Sequence, residues 1–229
     1  MNGRADLDFA DNLKNYQYVL AKMNDNDQGR RNKIKGDFLE SVGMSSPKDS
    51  DGPEASSMRQ QLLLLGCGNS KLGEDILHHF SDLQYHPIPR IVQCDVSPVV
   101  IKSMRKRCCL HVGSDLMSLV EDDATRLKRF DDEIFDAVLD KELVAALFCA
   151  NENEQLRRVV KSAHRVLGKG KCFIFFSFSQ PEFLLERSIA GTITKIVKGK
   201  QKGKLKSGGG WSHMEVREMN GIYMYRFIK

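Results

Sequence analysis

The sequence lacks any long apolar run. Its 229 residues are 41% hydrophobic and 28% charged, which is typical of globular proteins. No stretch approaches the roughly 20 apolar residues that are needed to cross a bilayer. Residues 1–8 carry acids and no apolar segment, so we expect neither a secretory signal nor an Arg-rich transit peptide. A chain without contact with a membrane is predicted.

The sequence also lacks the cysteine and histidine spacings of metal sites. Its six cysteines are scattered without a CxxC pair, which is typical of a reduced protein of the cytosol or nucleus and excludes a disulfide framework. His78 and His79 are adjacent, so on a helix their side chains point apart. We therefore predict no metal site and a cytoplasmic location.

Two parts of the chain differ in composition. Residues 1–57 are predicted to be a helical extension and linker, and residues 58–229 the main domain. The extension carries an apolar stripe at helical spacing, which could cover a ligand site as a lid or pack on the outer surface of the domain. The stripe consists of Phe9, Leu13, Tyr16, Leu20 and Met23.

Strands and helices alternate from residue 58 onward, a pattern that is typical of a parallel sheet. Ser97 and Pro98 are predicted to begin a helix that runs to Cys108, as its cap and first residue. Gly168 is expected to end a helix over Glu152–Leu167. The strands are predicted at Gln61–Leu65, Ile91–Cys94, Leu116–Val120, Ile134–Leu139 and Lys171–Phe178, with a further helix at Leu72–Phe80.

A glycine pair follows the first predicted strand. Gly66 and Gly68 allow a sharp turn in which the backbone can approach a ligand closely. Asp95 ends the second strand, where an acid in such folds accepts hydrogen bonds from ribose hydroxyls. Lys71 stands where a dinucleotide motif needs its third glycine, which favours S-adenosylmethionine over NAD. The alternative is a plain strand–turn–helix with no ligand.

The C-terminal part predicts a hairpin, because two alternating segments flank Asn220-Gly221, a pair typical of two-residue turns. Five strand–helix units closed by this hairpin describe an α/β, Rossmann-like sheet of seven mostly parallel strands with helices on both faces. That is the fold of class I methyltransferases.

Several segments resemble one group within that superfamily, the eukaryotic methyltransferase-like lysine methyltransferases that act on elongation factor 1-alpha or citrate synthase. Leu65–Ser70 (LGCGNS) is similar to their cofactor loop, and Asp95–Met104 to their D-I/V-S-x-V-V-I-x-x-M segment. Asp123–Lys141 resembles D-x-T…F-D-x-V-L-D-K, and Ser177–Pro181 a serine-to-proline turn after the fifth strand.

The resemblance implies an S-adenosylmethionine-dependent methyltransferase that modifies a lysine of a protein substrate, with these residues in its site. Asp95 would bind the ribose, and Asp123, preferred to Asp122, the adenine amino group. Asp140 and Lys141 are the implied catalytic residues, although Asp140 could merely cap a strand end and Lys141 could be solvated. The implied cofactor-binding residues are Gly66, Gly68, Asn69, Ser70, Asp95, Val96, Asp123, Ala124 and Asp140.

Departures from the group's pattern leave the substrate open. Glu142 and Ala145 replace a glycine and an acid of its D-K-G-x-x-D-A-L segment, at the expected rim of the substrate site. The alternatives are a small-molecule methyltransferase and a catalytically silent cofactor-binding fold that docks a partner.

The net charge of +5 comes from one segment. Lys195–Lys206 contains six lysines and no acid, and without it the chain is close to neutral. Residues 195–210 are predicted to be a solvated insertion, with partner docking as the alternative and nucleic acid as a less favoured partner. Because this segment precedes the sixth strand, we expect it at the edge of the sheet opposite the cofactor.

Overall fold

The computed structural model describes residues 59–82, 87–108, 115–185, 210–219 and 222–229. The predictions for the apolar stripe within residues 1–57, for residues 195–209 and for the Asn220-Gly221 turn lie outside the described residues. Within these ranges, no helix combines the length and the apolar character that a membrane span requires.

The described residues form seven strands, with helices between them. In chain order the elements are β1 (Gln61–Leu65), α1 (Leu72–Asp82), β2 (Arg90–Asp95), α2 (Pro98–Arg107), β3 (Met117–Glu121), β4 (Phe135–Asp140), α3 (Leu143–Cys149), α4 (Asn153–Val166), β5 (Leu167–Ser177), α5 (Pro181–Leu184), β6 (His213–Met219) and β7 (Ile222–Ile228).

The strands form one sheet in the order β3-β2-β1-β4-β5-β7-β6. The pairs among β1 to β5 are parallel, and β7 is antiparallel to both β5 and β6. Crossovers between parallel strands are right-handed. Helices α1 and α2 lead from β1 toward β3, whereas α4 leads from β4 to β5 in the other direction along the sheet. Helices α1 and α2 therefore lie on one face of the sheet and α4 on the other. The predicted fold class, including the C-terminal hairpin, is confirmed.

Burial explains why β1 reads as a continuous apolar run. Each of its four leucines is at most 3% exposed, because β1 lies in the middle of the sheet with both faces covered. Phe175 on β5 stacks on Tyr225 of β7, with ring centroids 4.7 Å apart, and this aromatic layer extends to Phe227 and Trp211. The core therefore runs from the parallel strands into the hairpin.

The predicted boundaries of β1 to β4 lie within one residue of the observed ones, but the start of β5 was wrong. Strand β5 begins at Leu167, directly after α4, and Gly168 is not a helix cap. Phe135 pairs with Leu167 and Ala137 with Cys172, so residues 168–171 bulge opposite Asp136. The ladder continues across this bulge, which local sequence signals do not reveal.

Candidate functional site

A cleft of about 700 Å³ lies at the carboxyl ends of the parallel strands. Its lining comes from the residues that follow β1, β2 and β3 and from the faces that α3 and α4 turn toward them. In open α/β sheets this edge is where ligands bind, beside the point where the strand order reverses. Here β1 lies between β2 and β4. From β1 the chain continues to β2 and β3 on one side of the sheet, and it then crosses to β4 and β5 on the other side. The cleft lies at the point where this order reverses.

The loop after β1 requires glycine at two positions, and Gly66 has a reason that Gly68 lacks. Gly66 (φ 55°) and Gly68 (φ 51°) both have left-handed backbones, which side chains with a Cβ disfavour. A Cβ on Gly66 would lie 3.0 Å from the Cβ of Leu143, whereas a Cβ on Gly68 would meet no atom within 4 Å. Gly66 thus allows close packing of the loop on α3, and Gly68 borders open space.

Asp95 connects this loop to α2. Its Oδ2 accepts a hydrogen bond from the Gly68 amide at 2.9 Å, and its Oδ1 accepts one from the Ser97 amide, also at 2.9 Å. A carboxylate has about four acceptor positions, so two remain for other donors. Asp95 lines the cleft together with Val96, whose side chain is 69% exposed.

The two acids after β3 have different surroundings. Both oxygens of Asp122 accept backbone hydrogen bonds at 2.8 Å, from the amides of Asp123 and Arg129. Asp123 uses one oxygen for the Thr125 amide at 2.8 Å, and its other oxygen lies 3.9 Å from Arg126 Nε. Both acids line the cleft, as does the predicted Ala124, but Asp123 keeps the freer carboxylate oxygen.

Arg165 of α4 supports the loop that carries these acids. Its guanidinium donates to the carbonyl of Leu127 at 2.7 Å and to that of Phe130 at 2.9 Å, and it pairs with Asp132 at 2.6 Å. Leu127 is buried with φ of 48°, an unfavourable backbone for leucine. Arg165 thus links α4 to this loop, which is also bound to β2 through the Asp122 amide and the Asp95 carbonyl.

Asn69 and Ser70 lie next to the cleft but do not line it. The Ser70 hydroxyl accepts from the Leu72 amide at 3.2 Å, at the start of α1, and the Ser70 amide donates to the Cys67 carbonyl at 3.1 Å. The carbonyls of Asn69 and Ser70 are both bound by the guanidinium of Arg107. Their predicted contact with a cofactor stays a prediction, and the observed contacts give them a role in shaping the loop.

Asp140 ends β4 and is 1% exposed. Its carboxylate accepts from three backbone amides at the start of α3: those of Glu142 (3.1 Å), Leu143 (2.7 Å) and Val144 (2.8 Å). Burial raises the pKa of Asp140 to about 6, although these hydrogen bonds favour the charged form. The structure places Asp140 two residues before Glu142, the N-cap of α3, and outside the lining of the cleft. Its catalytic role stays a prediction.

Lys141 and Glu142 form an ion pair of 3.2 Å beside the cleft. Glu142 lines the cleft, and its side chain is 41% exposed, whereas the side chain of Lys141 is 17% exposed and lies outside the lining. Ala145, the other departure from the family pattern, is also outside the lining. The structure therefore exposes Glu142, rather than Lys141, to the cleft.

The cysteines around the loop are poor nucleophiles. Burial raises the pKa of Cys67 to about 12, and it also raises the pKa of Cys94. Since the thiolate is the reactive form, both are inert near neutral pH. Across the part of the chain that the structure describes, no group of His, Cys, Asp and Glu could hold a metal ion.

Residues 63–175 match the family model of a methyltransferase domain. This part of the chain is a methyltransferase domain. The matched region begins in β1 and ends in β5, so it contains the ends of β1 to β4 and the loops that line the cleft. The methyltransferase domain and the cleft thus coincide.

The curated relatives of this chain are larger proteins. It is 33% identical over 129 residues to the human eEF1A lysine and N-terminal methyltransferase, and 35% identical over 131 residues to the mouse protein. Each match covers 55% of this chain and 17% of the relative, so the matched region corresponds to less than a fifth of the relative's length. A Drosophila melanogaster homologue is 34% identical over 129 residues, 54% of this chain and 17% of that protein.

Solved methyltransferases share the fold at low sequence identity. An O-methyltransferase family protein from Burkholderia thailandensis matches with a TM-score of 0.51 and 13% identity, over 74% of this chain and 51% of that one. The CurJ carbon methyltransferase also matches with a TM-score of 0.51, at 9% identity, over 78% of this chain and 50% of that one. These likenesses show the architecture.

Sequence reasoning missed the residues that support the site. Arg107 and Arg165 each bind backbone carbonyls of loops that are distant in sequence, a kind of contact that no local motif marks. Helix α3 was also missed, because Leu143–Cys149 is a short apolar run without helical periodicity. The DKE segment before α3 was the available signal, since an acid after a strand often caps the next helix.

Proposed function

We propose that this methyltransferase transfers a methyl group from S-adenosylmethionine to the side-chain amine of a lysine in a protein substrate. The observation that carries the proposal is the identity of 33–35%, over more than half of the chain, to enzymes named eEF1A lysine and N-terminal methyltransferase. A cytoplasmic location goes with it, because all five cysteines that the structure describes are free thiols.

The residues of the cleft fit this cofactor. Asp95 has acceptor positions left for the two ribose hydroxyls. Asp123 has an oxygen whose observed contact is Arg126 Nε at 3.9 Å, which leaves acceptor capacity for the adenine amino group. Val96 offers an exposed apolar side chain to the adenine ring. Four acids and two arginines line the cleft, so its net charge is negative and favours a ligand that, like S-adenosylmethionine, carries a cation at its sulfur. The acids are Asp95, Asp122, Asp123 and Glu142, and the arginines are Arg126 and Arg158.

S-adenosylmethionine supplies an activated methyl group on a sulfonium centre. The chain's own task is to align an amine with it and to exclude water. The face of α3 that lines the cleft carries Leu143, Ala146 and Leu147. An apolar wall of this kind lowers the pKa of an approaching ammonium, which favours the neutral, nucleophilic amine.

Asp140 and Lys141 act on this reaction through α3 in our proposal. Asp140 binds the three amides that begin the helix, so it positions the apolar wall without touching the substrate. Lys141 holds the Glu142 carboxylate at 3.2 Å, which orients the acid that borders the cleft. Both are positioning residues under this proposal.

The decisive experiment follows a labelled methyl group from S-adenosylmethionine into a eukaryotic lysate. The Asp95→Ala variant is the blank, and Asp115→Ala, an exposed aspartate before β3 at the opposite edge of the sheet, is the matched control. We expect label in one protein band with the wild type and with Asp115→Ala, and none with Asp95→Ala. Mass spectrometry of that band then locates the methyl group.

Three results would overturn this proposal. Label on an α-amino terminus would replace lysine with the other acceptor in the relatives' name. Label confined to small molecules would make the chain a metabolite methyltransferase. Binding of S-adenosylmethionine without transfer to any fraction would indicate a catalytically silent fold that docks a partner.

A further inference from the structure

Arg107 is the last residue of α2, and its guanidinium holds three groups together. Nε donates to Glu74 Oε1 at 2.9 Å, while the two terminal nitrogens donate to the carbonyls of Asn69 and Ser70. These carbonyls belong to the two residues that follow Gly68 in the loop after β1. One side chain thus binds both the loop and the first turn of α1, where Glu74 lies.

These contacts lie outside the cleft. Arg107, Asn69 and Ser70 are not part of the cleft lining, whereas Gly66 and Asp95 line it. In a trans peptide the carbonyl and the next N–H point in opposite directions, so the bound Ser70 carbonyl also sets the direction of the Lys71 N–H. The Ser70 N–H already donates to the Cys67 carbonyl within the loop. Arg107 therefore keeps two carbonyl oxygens away from the cleft, where they would repel an anionic group of a ligand.

We infer that Arg107 is a positioning residue for the amino-acid end of the cofactor. It shapes the loop after Gly68 so that this loop accepts the α-carboxylate of S-adenosylmethionine. The inference rests on the proposed cofactor and assigns a role to a residue that makes no contact with the cleft. A lysine could not replace it fully, because an ammonium lacks the planar fork that spans two carbonyls and a carboxylate.

The test compares three ligands that share the adenosine part. S-adenosylmethionine and S-adenosylhomocysteine carry the amino-acid end, whereas 5′-methylthioadenosine lacks it. Dissociation constants are measured by calorimetry for the wild type, Arg107→Met, Arg107→Lys and Glu74→Gln. Lys106→Met is the matched control, because Lys106 is the exposed neighbour in the same helical turn.

In Arg107→Met we expect the two ligands with the amino-acid end to bind about ten-fold more weakly, in line with the loss of charge-assisted hydrogen bonds. Binding of 5′-methylthioadenosine should not change. Arg107→Lys and Glu74→Gln should lie between this variant and the wild type, and Lys106→Met should match the wild type. If Arg107→Met does not fold, these two milder variants carry the same comparison.

Two outcomes would overturn the inference while leaving the proposed function intact. Equal weakening of all three ligands, with a lower Tm, would show that Arg107 only stabilises the fold. Unchanged affinities for all three would show that the loop does not depend on Arg107. Failure of the wild type to bind any of the ligands would instead overturn the proposed function, and the inference with it.

Discussion

Replacing Asp140 with asparagine should change how the stability of the protein depends on pH. The pKa of this buried carboxyl rises from 3.8 to about 6 on folding, mainly because of desolvation. Between these two values the folded protein binds more protons than the unfolded chain, so its stability falls as pH rises. The contribution is present below the unfolded pKa and is lost as pH rises through the folded pKa.

The size of the effect follows from the shift. The pKa difference between the folded and unfolded states corresponds to about 3 kcal/mol in the free energy of unfolding. About 2 kcal/mol of this contribution is lost between roughly pH 4.5 and pH 7. The amide that replaces the carboxyl in Asp140→Asn cannot titrate. The free energy of unfolding of Asp140→Asn minus that of the wild type should therefore rise by about 2 kcal/mol across this range. At any single pH, the difference in free energy of unfolding also includes a constant cost, because one amide oxygen replaces a carboxylate that accepts from three amides.

Urea unfolding followed by tryptophan fluorescence is a suitable assay. Trp211 is the single tryptophan, and it is 4% exposed and packed in the aromatic layer with Phe173 and Phe227. Asp115→Asn, at an exposed site, is the control and should follow the wild type at every pH. Parallel curves for Asp140→Asn and the wild type from pH 4.5 to 7 would refute the raised pKa.

The remaining predictions concern the cleft and the lysine-rich segment. Asp95→Asn should weaken S-adenosylmethionine binding about ten-fold or more, because an amide has one acceptor oxygen instead of two; calorimetry with unchanged affinity would contradict this role. Gly68→Ala should cost about 1–2 kcal/mol for its left-handed backbone, and Gly66→Ala should cost more because its Cβ also meets Leu143; equal shifts in Tm would contradict the contact. Deletion of residues 195–206 should leave cofactor affinity unchanged, because β6, the strand that follows this segment, begins at the end of the sheet opposite the cleft. A loss of affinity would place that segment at the cleft.

The elements that the sequence predicted well are those with strong local signals. The four leucines of β1, the Ser97-Pro98 start of α2 and the alternation around the hairpin each reflect the contacts of their own segment. Ser97 indeed accepts from the Val100 amide at 3.3 Å, as an N-cap should. The parallel character of the sheet then followed from the alternation of strands and helices.

Elements that depend on distant contacts were not predictable in this way. The bulge after Leu167 is stabilised by Lys171, which lies 2.7 Å from Asp136 on the neighbouring strand. Asp140 was predicted to be a catalytic residue, but its three amide contacts depend on α3, which the sequence indicated only through the acid after β4. In the sequence, Arg107 is one of three basic residues at the end of a helix. Its contact with the loop after β1 is visible only in the folded structure.

The two ends of the cleft are held by separate arginines from opposite faces of the sheet. Arg107 of α2 binds the loop after β1, and Arg165 of α4 binds the loop after β3, and the observed contacts of the two side chains share no partner. Energetic effects at sites without shared partners generally add. Substitutions at the two arginines should therefore contribute independently to cofactor affinity, so either end of the cleft could change in evolution without compensation at the other.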